Sequence, residues 1–162
     1  TIIYRNKKKV DKFNELLRFR RFCKSKKIDF YIANNFKLMA QLNADGLYIS
    51  SNNKSLALSK YRKSNYKVIG SAHNLKELNL KVLQGCTFII FSRLFKTSYK
   101  NKKDFLGITK FNLFCLSRKE VLIPLGGINL ENLNKLNLVK TNYLAILSEV
   151  KKKPAKIFSR LF

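Results

Sequence analysis

Acidic residues are scarce in this chain. Its 162 residues include 9 Asp and Glu against 34 Lys and Arg, so the formal net charge is +25. A field of that sign attracts anions of every kind, including nucleic acids, acidic lipids and phosphorylated metabolites. The basic residues are spread along the whole chain and form no local stripe, which is typical of a general compositional bias. We therefore predict no nucleic-acid partner.

Cysteines and long apolar runs are also few. The three cysteines, Cys23, Cys86 and Cys115, are far apart in the sequence and form no CxxC pair. This pattern predicts reduced thiols in the core and argues against a zinc site or a disulfide framework. No apolar run approaches the roughly 20 residues that span a bilayer, and no signal-peptide pattern opens the chain. We expect a soluble, cytoplasmic protein with no membrane partner.

The remaining composition is that of one globular domain over residues 1–162, since 46% of the residues are hydrophobic and 27% are charged. Short apolar runs rich in β-branched and aromatic residues predict seven strands, at residues 1–4, 30–33, 46–49, 68–70, 88–91, 121–125 and 143–147. Segments with helical spacing lie between them, such as Leu75, Leu78, Leu80 and Leu83. This alternation predicts an α/β fold with parallel strands, either an open doubly wound sheet or a closed barrel.

A glycine pair follows the sixth candidate strand. Gly126 and Gly127 stand between that strand and Asn129, a residue suited to cap a helix. Glycines let the backbone approach a ligand closely, and amides at a helix start attract phosphate. In a β/α barrel the last two strands carry such sites, so Gly126, Gly127 and Ser148 are candidates for one. A tight turn and a simple serine cap remain the alternatives.

Four motifs give the chain a family resemblance. They are ADGLYI at 44–49, SAHN at 71–74, FKTSYK at 95–100 and LGGI at 125–128. In this order they resemble the thiamine phosphate synthase and thiazole tautomerase family, from Arg5 to about Val150. The resemblance implies a (β/α)8 TIM barrel whose first β/α unit is missing, with Thr1 starting the second strand. On that basis we expect a segment upstream of Thr1.

Members of that family join hydroxymethylpyrimidine pyrophosphate to thiazole phosphate and release pyrophosphate, while close relatives isomerise a thiazole carboxylate phosphate. The resemblance implies a thiamine biosynthesis transferase with two phosphorylated small-molecule partners. It assigns pyrophosphate contacts to Arg5, Lys7, Thr97 and Lys100, of which Arg5 and Lys100 are the catalytic candidates. It assigns the thiazole phosphate to Gly126, Gly127 and Ser148, and the remaining substrate contacts to Ser71 and Asn34.

The chain departs from the family at the magnesium positions. Asn34 and Asn53 stand where the family carries acids, and two neutral amides are poor ligands for a hard cation such as Mg²⁺. Arg93 stands where the tautomerase branch carries a catalytic histidine, and an arginine is too basic to shuttle protons near neutrality. A tautomerase-like protein and a noncatalytic phosphate-binding barrel therefore remain alternatives to the transferase.

Two further expectations concern structure. His73, the only histidine, is either an acid or base in catalysis or a hydrogen-bonding scaffold residue at a strand-to-helix corner, whereas Asp45 is expected to be structural. A barrel without its first strand exposes two unpaired edges, so we expect marginal stability or a homodimer that covers them.

Overall fold

The computed structural model describes residues 1–6, 12–57, 66–97 and 104–147. Six of the seven predicted strands are confirmed: β1 Ile2–Tyr4, β2 Phe30–Ala33, β3 Gly46–Ile49, β4 Lys67–Ala72, β5 Phe88–Ser92 and β6 Val121–Leu125. In place of the seventh, Ala145 makes an isolated parallel bridge to Leu125. The described residues therefore show an α/β fold with parallel strands, and they do not show a complete eight-unit barrel.

Helices alternate with these strands, as the sequence pattern predicts. They are α1 Phe13–Ser25, α2 Phe36–Gln41, α3 Leu75–Leu83, α4 Ile108–Leu116 and a 3-10 helix at Leu133–Leu138. Asn35 caps α2, because its side chain accepts from the amide of Leu38. Asn74 caps α3 in the same way, accepting from the amide of Glu77 at 2.9 Å.

The chain forms two compact units. The first comprises the described residues between 1 and 71 together with 79–87, and the second comprises 72–78 with the described residues from 88 onward. The single-domain expectation stays a prediction. No described helix is both long enough and apolar enough to cross a bilayer.

In the first unit, β1 to β4 lie side by side in chain order, all parallel. Their side chains form a core that includes Phe30, Ile32, Leu47 and Ile49, all at most 2% exposed. Burial of both faces is why β2 and β3 are largely apolar and do not alternate with polar residues.

Asp45 has the structural role that the sequence indicates. It immediately precedes β3, and its carboxylate accepts from the Arg20 guanidinium at 2.8 Å and from the Phe30 amide at 2.8 Å. The carboxylate thus ties α1 to the start of β2.

In the second unit, β5 and β6 pair in parallel over Phe88–Ser92 and Val121–Leu125. Beyond β6, Ile128 and Leu133 form a small buried cluster against which the partly buried side chains Phe95, Leu130, Leu136, Leu144 and Ile146 pack. This cluster fixes the segment that follows the glycine pair onto the residues that follow β5.

The cysteines are free, and Cys23 and Cys86 are buried, as predicted. Burial raises the pKa of the Cys86 thiol to about 12 from an ordinary value of 9.0, although the nearby positive charge of Lys81 acts to lower it. The folded state therefore keeps a proton that the unfolded chain releases above about pH 9.

We predict that Cys86 makes the protein lose stability between about pH 9 and 12. Below pH 9 both states hold the thiol proton, so the contribution is complete. Above it only the unfolded state ionises, and near pH 10.5 the contribution has fallen by roughly 2 kcal/mol. Urea unfolding of wild type and Cys86→Ala at pH 8 and 10.5 measures this. An unchanged difference between the two proteins would contradict it.

Candidate functional site

Polar residues follow the strands of the first unit at their common carboxyl edge. Arg5 follows β1 and is exposed, Asn34 follows β2, Ser50 follows β3, and the buried Ser71 lies near the end of β4. The register aligns Tyr4 with Ile32 and Ala33 with Tyr48, so these residues share one edge. Such an edge is where ligands bind in parallel α/β sheets.

Asn34 is the centre of a hydrogen-bond network at this edge. Its Oδ1 accepts from the Ser50 amide at 3.0 Å, from Asn53 Nδ2 at 3.2 Å and from Ser50 Oγ at 3.3 Å. Its Nδ2 donates to Ser50 Oγ at 2.9 Å. The backbone of Asn34 is left-handed, with φ of 57°, a conformation that asparagine tolerates better than most residues. Asn34 and Asn53, the two residues that the resemblance assigns to the metal positions, thus bond directly to each other.

These residues do not fit magnesium. Mg²⁺ requires oxygen ligands with free lone pairs and is bound in proteins mostly through carboxylates. The Asn34 amide oxygen already accepts from protein donors, and Asn53 Oδ1 accepts from the Ser55 amide at 3.0 Å. Neither residue carries charge. Nor do the described residues contain any group of three or more His, Cys, Asp or Glu that could hold a metal ion.

Two buried polar residues of α3 and its end hold the loop that contains Asn53, and sequence analysis missed both. Lys81 is 0% exposed and Gln84 is 1% exposed. Lys81 Nζ donates to the Asn53 carbonyl at 2.8 Å and to Gln84 Oε1 at 2.7 Å. Gln84 Nε2 donates to the carbonyls of Asn53 at 3.0 Å and Ser55 at 2.9 Å. The one sequence signal for them is Gly70, whose missing side chain makes room for Lys81.

The second unit carries the glycine corner at the carboxyl edge of its own strands. Gly126 and Gly127 have φ of 97° and 73°. A Cβ on Gly127 would lie 2.4 Å from the Phe95 carbonyl oxygen and 2.5 Å from that of Lys96, so no other residue fits this position without moving the backbone. Gly127 is therefore required both by its conformation and by close backbone approach.

Asparagine amides stabilise the turn after the corner. Asn129 Oδ1 accepts from the amides of Glu131 and Asn132, both at 3.1 Å, within a turn that comes before the 3-10 helix. Asn132 in turn accepts from the Asn129 amide at 2.9 Å and donates to the Gly127 carbonyl at 2.7 Å. The predicted α-helix after Asn129 is wrong, because the 3-10 helix begins only at Leu133.

The corner retains backbone donors. Among described residues, the amides of Gly127 and Ile128 donate to no protein acceptor. The Gly127 carbonyl is occupied, since it accepts from Asn132 Nδ2 at 2.7 Å. Successive amides in such a turn form a concavity that suits an anion. The phosphate site at Gly126 and Gly127 stays a prediction.

A cation stands beside this corner. Arg93 follows β5, and its Cβ and Cγ lie 3.2 and 3.0 Å from where a Gly126 Cβ would be. Its Nη1 donates to Thr97 Oγ1 at 3.3 Å. The main chain after Arg93 is held to the corner, since the amides of Leu94 and Phe95 donate to the carbonyls of Leu125 and Gly126, both at 3.0 Å. The structure thus brings Arg93, Thr97 and the glycine pair together.

His73 belongs to the cap of α3. Glu77 Oε2 accepts from the His73 amide at 2.8 Å and lies 2.9 Å from His73 Nδ1, while Asn74 accepts from the Glu77 amide. This arrangement is a variant of the capping box, because Glu77 accepts from the amide of His73, the residue before the cap Asn74. Of the two roles considered for His73, the geometry supports the scaffold role. Lys7, Lys100 and Ser148, which sequence analysis also nominated, lie outside the described residues.

We predict that Gly127→Ala weakens binding of inorganic phosphate about tenfold or more, because the new Cβ displaces the peptide that carries the free amides. Gly107→Ala is the matched control: Gly107 also has positive φ, at 75°, but a Cβ there meets nothing within 4 Å. Calorimetry on both variants separates loss of the corner from general backbone strain. Equal phosphate affinity in the two would contradict a site at this corner.

We also predict that Asn34→Asp with Asn53→Asp creates a response to magnesium that the wild type lacks. Two adjacent carboxylates repel each other, so the double variant is less stable without a cation, and a bound cation offsets the repulsion. A dissociation constant of about 1 mM would restore about 1.4 kcal/mol at about 10 mM Mg²⁺. Thermal unfolding with and without Mg²⁺ measures this effect, with single Asn34→Asp as the control. If Mg²⁺ raises the unfolding midpoint of the wild type as much as that of the double variant, the conclusion that Asn34 and Asn53 do not fit magnesium is wrong.

Comparison with known proteins identifies the family. The family model described as thiamine monophosphate synthase matches residues 1–150. The chain is 31% identical over 145 residues to the thiamine-phosphate synthase of Pelagibacter ubique, covering 86% of this chain and 69% of that protein. It is 28% identical over 129 residues to that of Prochlorococcus marinus, covering 79% of this chain and 37% of that protein.

Curated relatives are longer than this chain, which spans only 37% of the Prochlorococcus protein. Among solved structures, thiamine phosphate pyrophosphorylase from Pyrococcus furiosus is similar with a TM-score of 0.69 and 17% identity, over 96% of this chain and 81% of that one. This likeness shows a shared fold. Together with the family match over residues 1–150, it places the chain in the thiamine monophosphate synthase family.

Proposed function

We propose that the chain acts in thiamine biosynthesis as a thiamine phosphate synthase-like transferase, joining hydroxymethylpyrimidine pyrophosphate to thiazole phosphate with release of pyrophosphate. The observation that carries this proposal is the glycine corner, where Gly127 and Ile128 offer free backbone amides. Gly126, Gly127 and Ser148 would hold the thiazole phosphate. Ser71 and Asn34, at the carboxyl edge of the first unit, would contact the pyrimidine substrate.

The chemical task of the site is to stabilise a leaving group. When the bond between the pyrimidine's methylene carbon and the pyrophosphate oxygen breaks, negative charge builds up on pyrophosphate, and positioned cations and donors lower the barrier. We assign Arg5, Lys7, Thr97 and Lys100 to this task, with Arg5 and Lys100 as the catalytic cations. Arg93 supports Thr97 through its guanidinium. No general base is required for this step.

Magnesium has no assigned role. At the positions where the family binds magnesium, Asn34 and Asn53 are hydrogen-bonded to each other. In this proposal, basic side chains therefore balance the charge on pyrophosphate. The excess of basic residues, 34 against 9 acidic, supports attraction of both phosphorylated substrates. We propose a cytoplasmic protein, and a homodimer that covers the β1 edge.

A noncatalytic phosphate-ligand binder is the second candidate, and the same closed amide pair favours it. Loss of both metal acids removes the ion that would assist pyrophosphate departure, while the backbone donors at Gly127 are independent of side-chain identity. Such a protein would bind thiazole phosphate saturably and show no turnover with any metal. A tautomerase-like reaction has less support, because Arg93 does not exchange protons near neutral pH.

We predict slow product formation from the two phosphorylated precursors, nearly unchanged by EDTA, and at least a tenfold loss in Lys100→Ala because one charge-assisted contact to pyrophosphate disappears. Chromatography of thiamine phosphate over time measures the rate. Lys119→Ala, a lysine before β6 at the opposite edge from the corner, is the control.

Each outcome of that experiment is informative. Turnover that Lys100→Ala leaves unaffected would remove Lys100 from the mechanism. Saturable binding of thiazole phosphate without product would favour the noncatalytic candidate. If the wild type shows neither binding nor turnover, both candidates fail.

A further inference from the structure

The most unusual group in the first unit is a lysine with no solvent exposure. Lys81 lies in α3, a helix that packs against the strands, and its side chain is 0% exposed. Lysine is among the residues least often buried, because removing an ammonium from water is costly unless acceptors replace the water. A side chain in this position requires a local reason.

The reason for its fit is Gly70 in β4. A Cβ on Gly70 would lie 3.0 Å from Lys81 Cγ, 3.1 Å from Lys81 Cβ and 2.8 Å from Cys86 Sγ. The absent side chain leaves a channel between helix and sheet that the lysine stem fills. The ammonium emerges under the loop that follows β3.

Two acceptors of this ammonium belong to that loop and to Gln84. Nζ donates to the Asn53 carbonyl at 2.8 Å and to Gln84 Oε1 at 2.7 Å. Gln84 is oriented by its own donation to the carbonyls of Asn53 and Ser55. If the loop moved away, the ammonium would lose an acceptor while still buried, so the loop is locked in place.

The locked loop carries one of the two residues at the family's metal positions. With its carbonyl held by Lys81, Asn53 directs Nδ2 to Asn34 Oδ1 at 3.2 Å. Its amide donates to the Ser50 carbonyl at 3.0 Å, which closes the turn. Asn53 therefore connects the buried ammonium of Lys81 directly to Asn34.

We propose that Lys81 is a positioning residue that orders the loop after β3 through its hydrogen bond to the Asn53 carbonyl. With this lysine in place, the chain needs no divalent cation to order the loop. Lys81 contacts neither the reacting atoms nor the substrate, and acts through Asn53. The effect on ligand affinity rests on the proposed function, because it assumes that pyrophosphate binds at this edge. The effect on loop order does not.

The first test compares Lys81→Met with Lys76→Met by hydrogen exchange of peptides covering 50–57, without ligand. Met keeps the stem and removes the charge, and Lys76 is an exposed lysine of the same helix. We expect exchange in 50–57 to rise about tenfold in Lys81→Met, as loss of a charged hydrogen bond predicts, and to stay unchanged in Lys76→Met. Unchanged exchange in a folded Lys81→Met would overturn the proposal.

The second test is rescue, which a purely space-filling lysine would not show. In Lys81→Ala, n-propylammonium, which replaces the deleted atoms from Cγ to Nζ, should restore slow exchange in 50–57, whereas 1-propanol, equal in heavy atoms but uncharged, should not. Restoration by both compounds alike would mean that volume matters and charge does not, which would overturn the proposal. If neither Lys81 variant folds, Gln84→Met serves instead, because it removes one acceptor and keeps the ammonium. This variant should also speed hydrogen exchange in 50–57. If it does not, the proposal that Lys81 and its acceptors order the loop is equally overturned.

The third test uses inorganic pyrophosphate as the probe, by calorimetry in EDTA and in Mg²⁺. Wild-type affinity should be equal in the two buffers and about tenfold weaker in Lys81→Met. Wild-type affinity that depends strongly on Mg²⁺ would overturn the metal-free assignment. If the wild type does not bind pyrophosphate at all, the proposed function fails at this edge, while the exchange and rescue experiments still decide the role of Lys81.

Discussion

A buried ammonium must keep its acceptors, and this requirement organises the carboxyl edge of the first unit. Lys81 cannot reach water, so the Asn53 carbonyl and Gln84 have to remain beside it. That fixes the loop after β3, the fixed loop sets Asn53 against Asn34, and the amides then satisfy each other. The local arrangement follows from one channel, which exists because β4 has glycine at position 70.

The phosphate site that we propose in the second unit would work by a different physical means. Its donors at Gly127 and Ile128 are backbone amides, which no substitution of side chains removes, provided the backbone keeps its path. That path depends on the close contact of Gly127 with the Phe95 and Lys96 carbonyls and on the amides of Asn129 and Asn132. A phosphate site of this type can persist in a chain whose other site residues have diverged, because its requirements are geometric.

How far the sequence predicted this structure depends on the kind of signal. Apolar runs located six strands, and the asparagine before α3 marked its cap, because both signals are local. The same reasoning does not show which side chains of α3 are buried, since the leucine spacing that predicts the helix includes Leu75 and Leu83. These are 47% and 63% exposed, while Lys81 and Gln84 are buried. Their burial depends on Gly70 and on the loop after β3, contacts that helical spacing cannot show.

The predicted site followed the same division. The glycine pair and the asparagine after it carry their own conformational signature, so the turn after β6 could be located from sequence. The family resemblance supplied Asn34 and Asn53 as positions. The hydrogen bond between these two residues could not be predicted from the sequence. It depends on the left-handed backbone at Asn34 and on the position in which Lys81 holds the loop.

The neutral amides of Asn34 and Asn53 and the buried ammonium of Lys81 fit together electrostatically. Carboxylates at these positions favour pyrophosphate only while a divalent cation lies between them and the anion. Without that cation they would repel it, since like charges at such range disfavour each other. Asparagines at both positions remove the repulsion while keeping hydrogen-bonding groups of the same shape. The order that a cation imposes on its ligands must then come from the protein itself, and a lysine that is held by burial provides it.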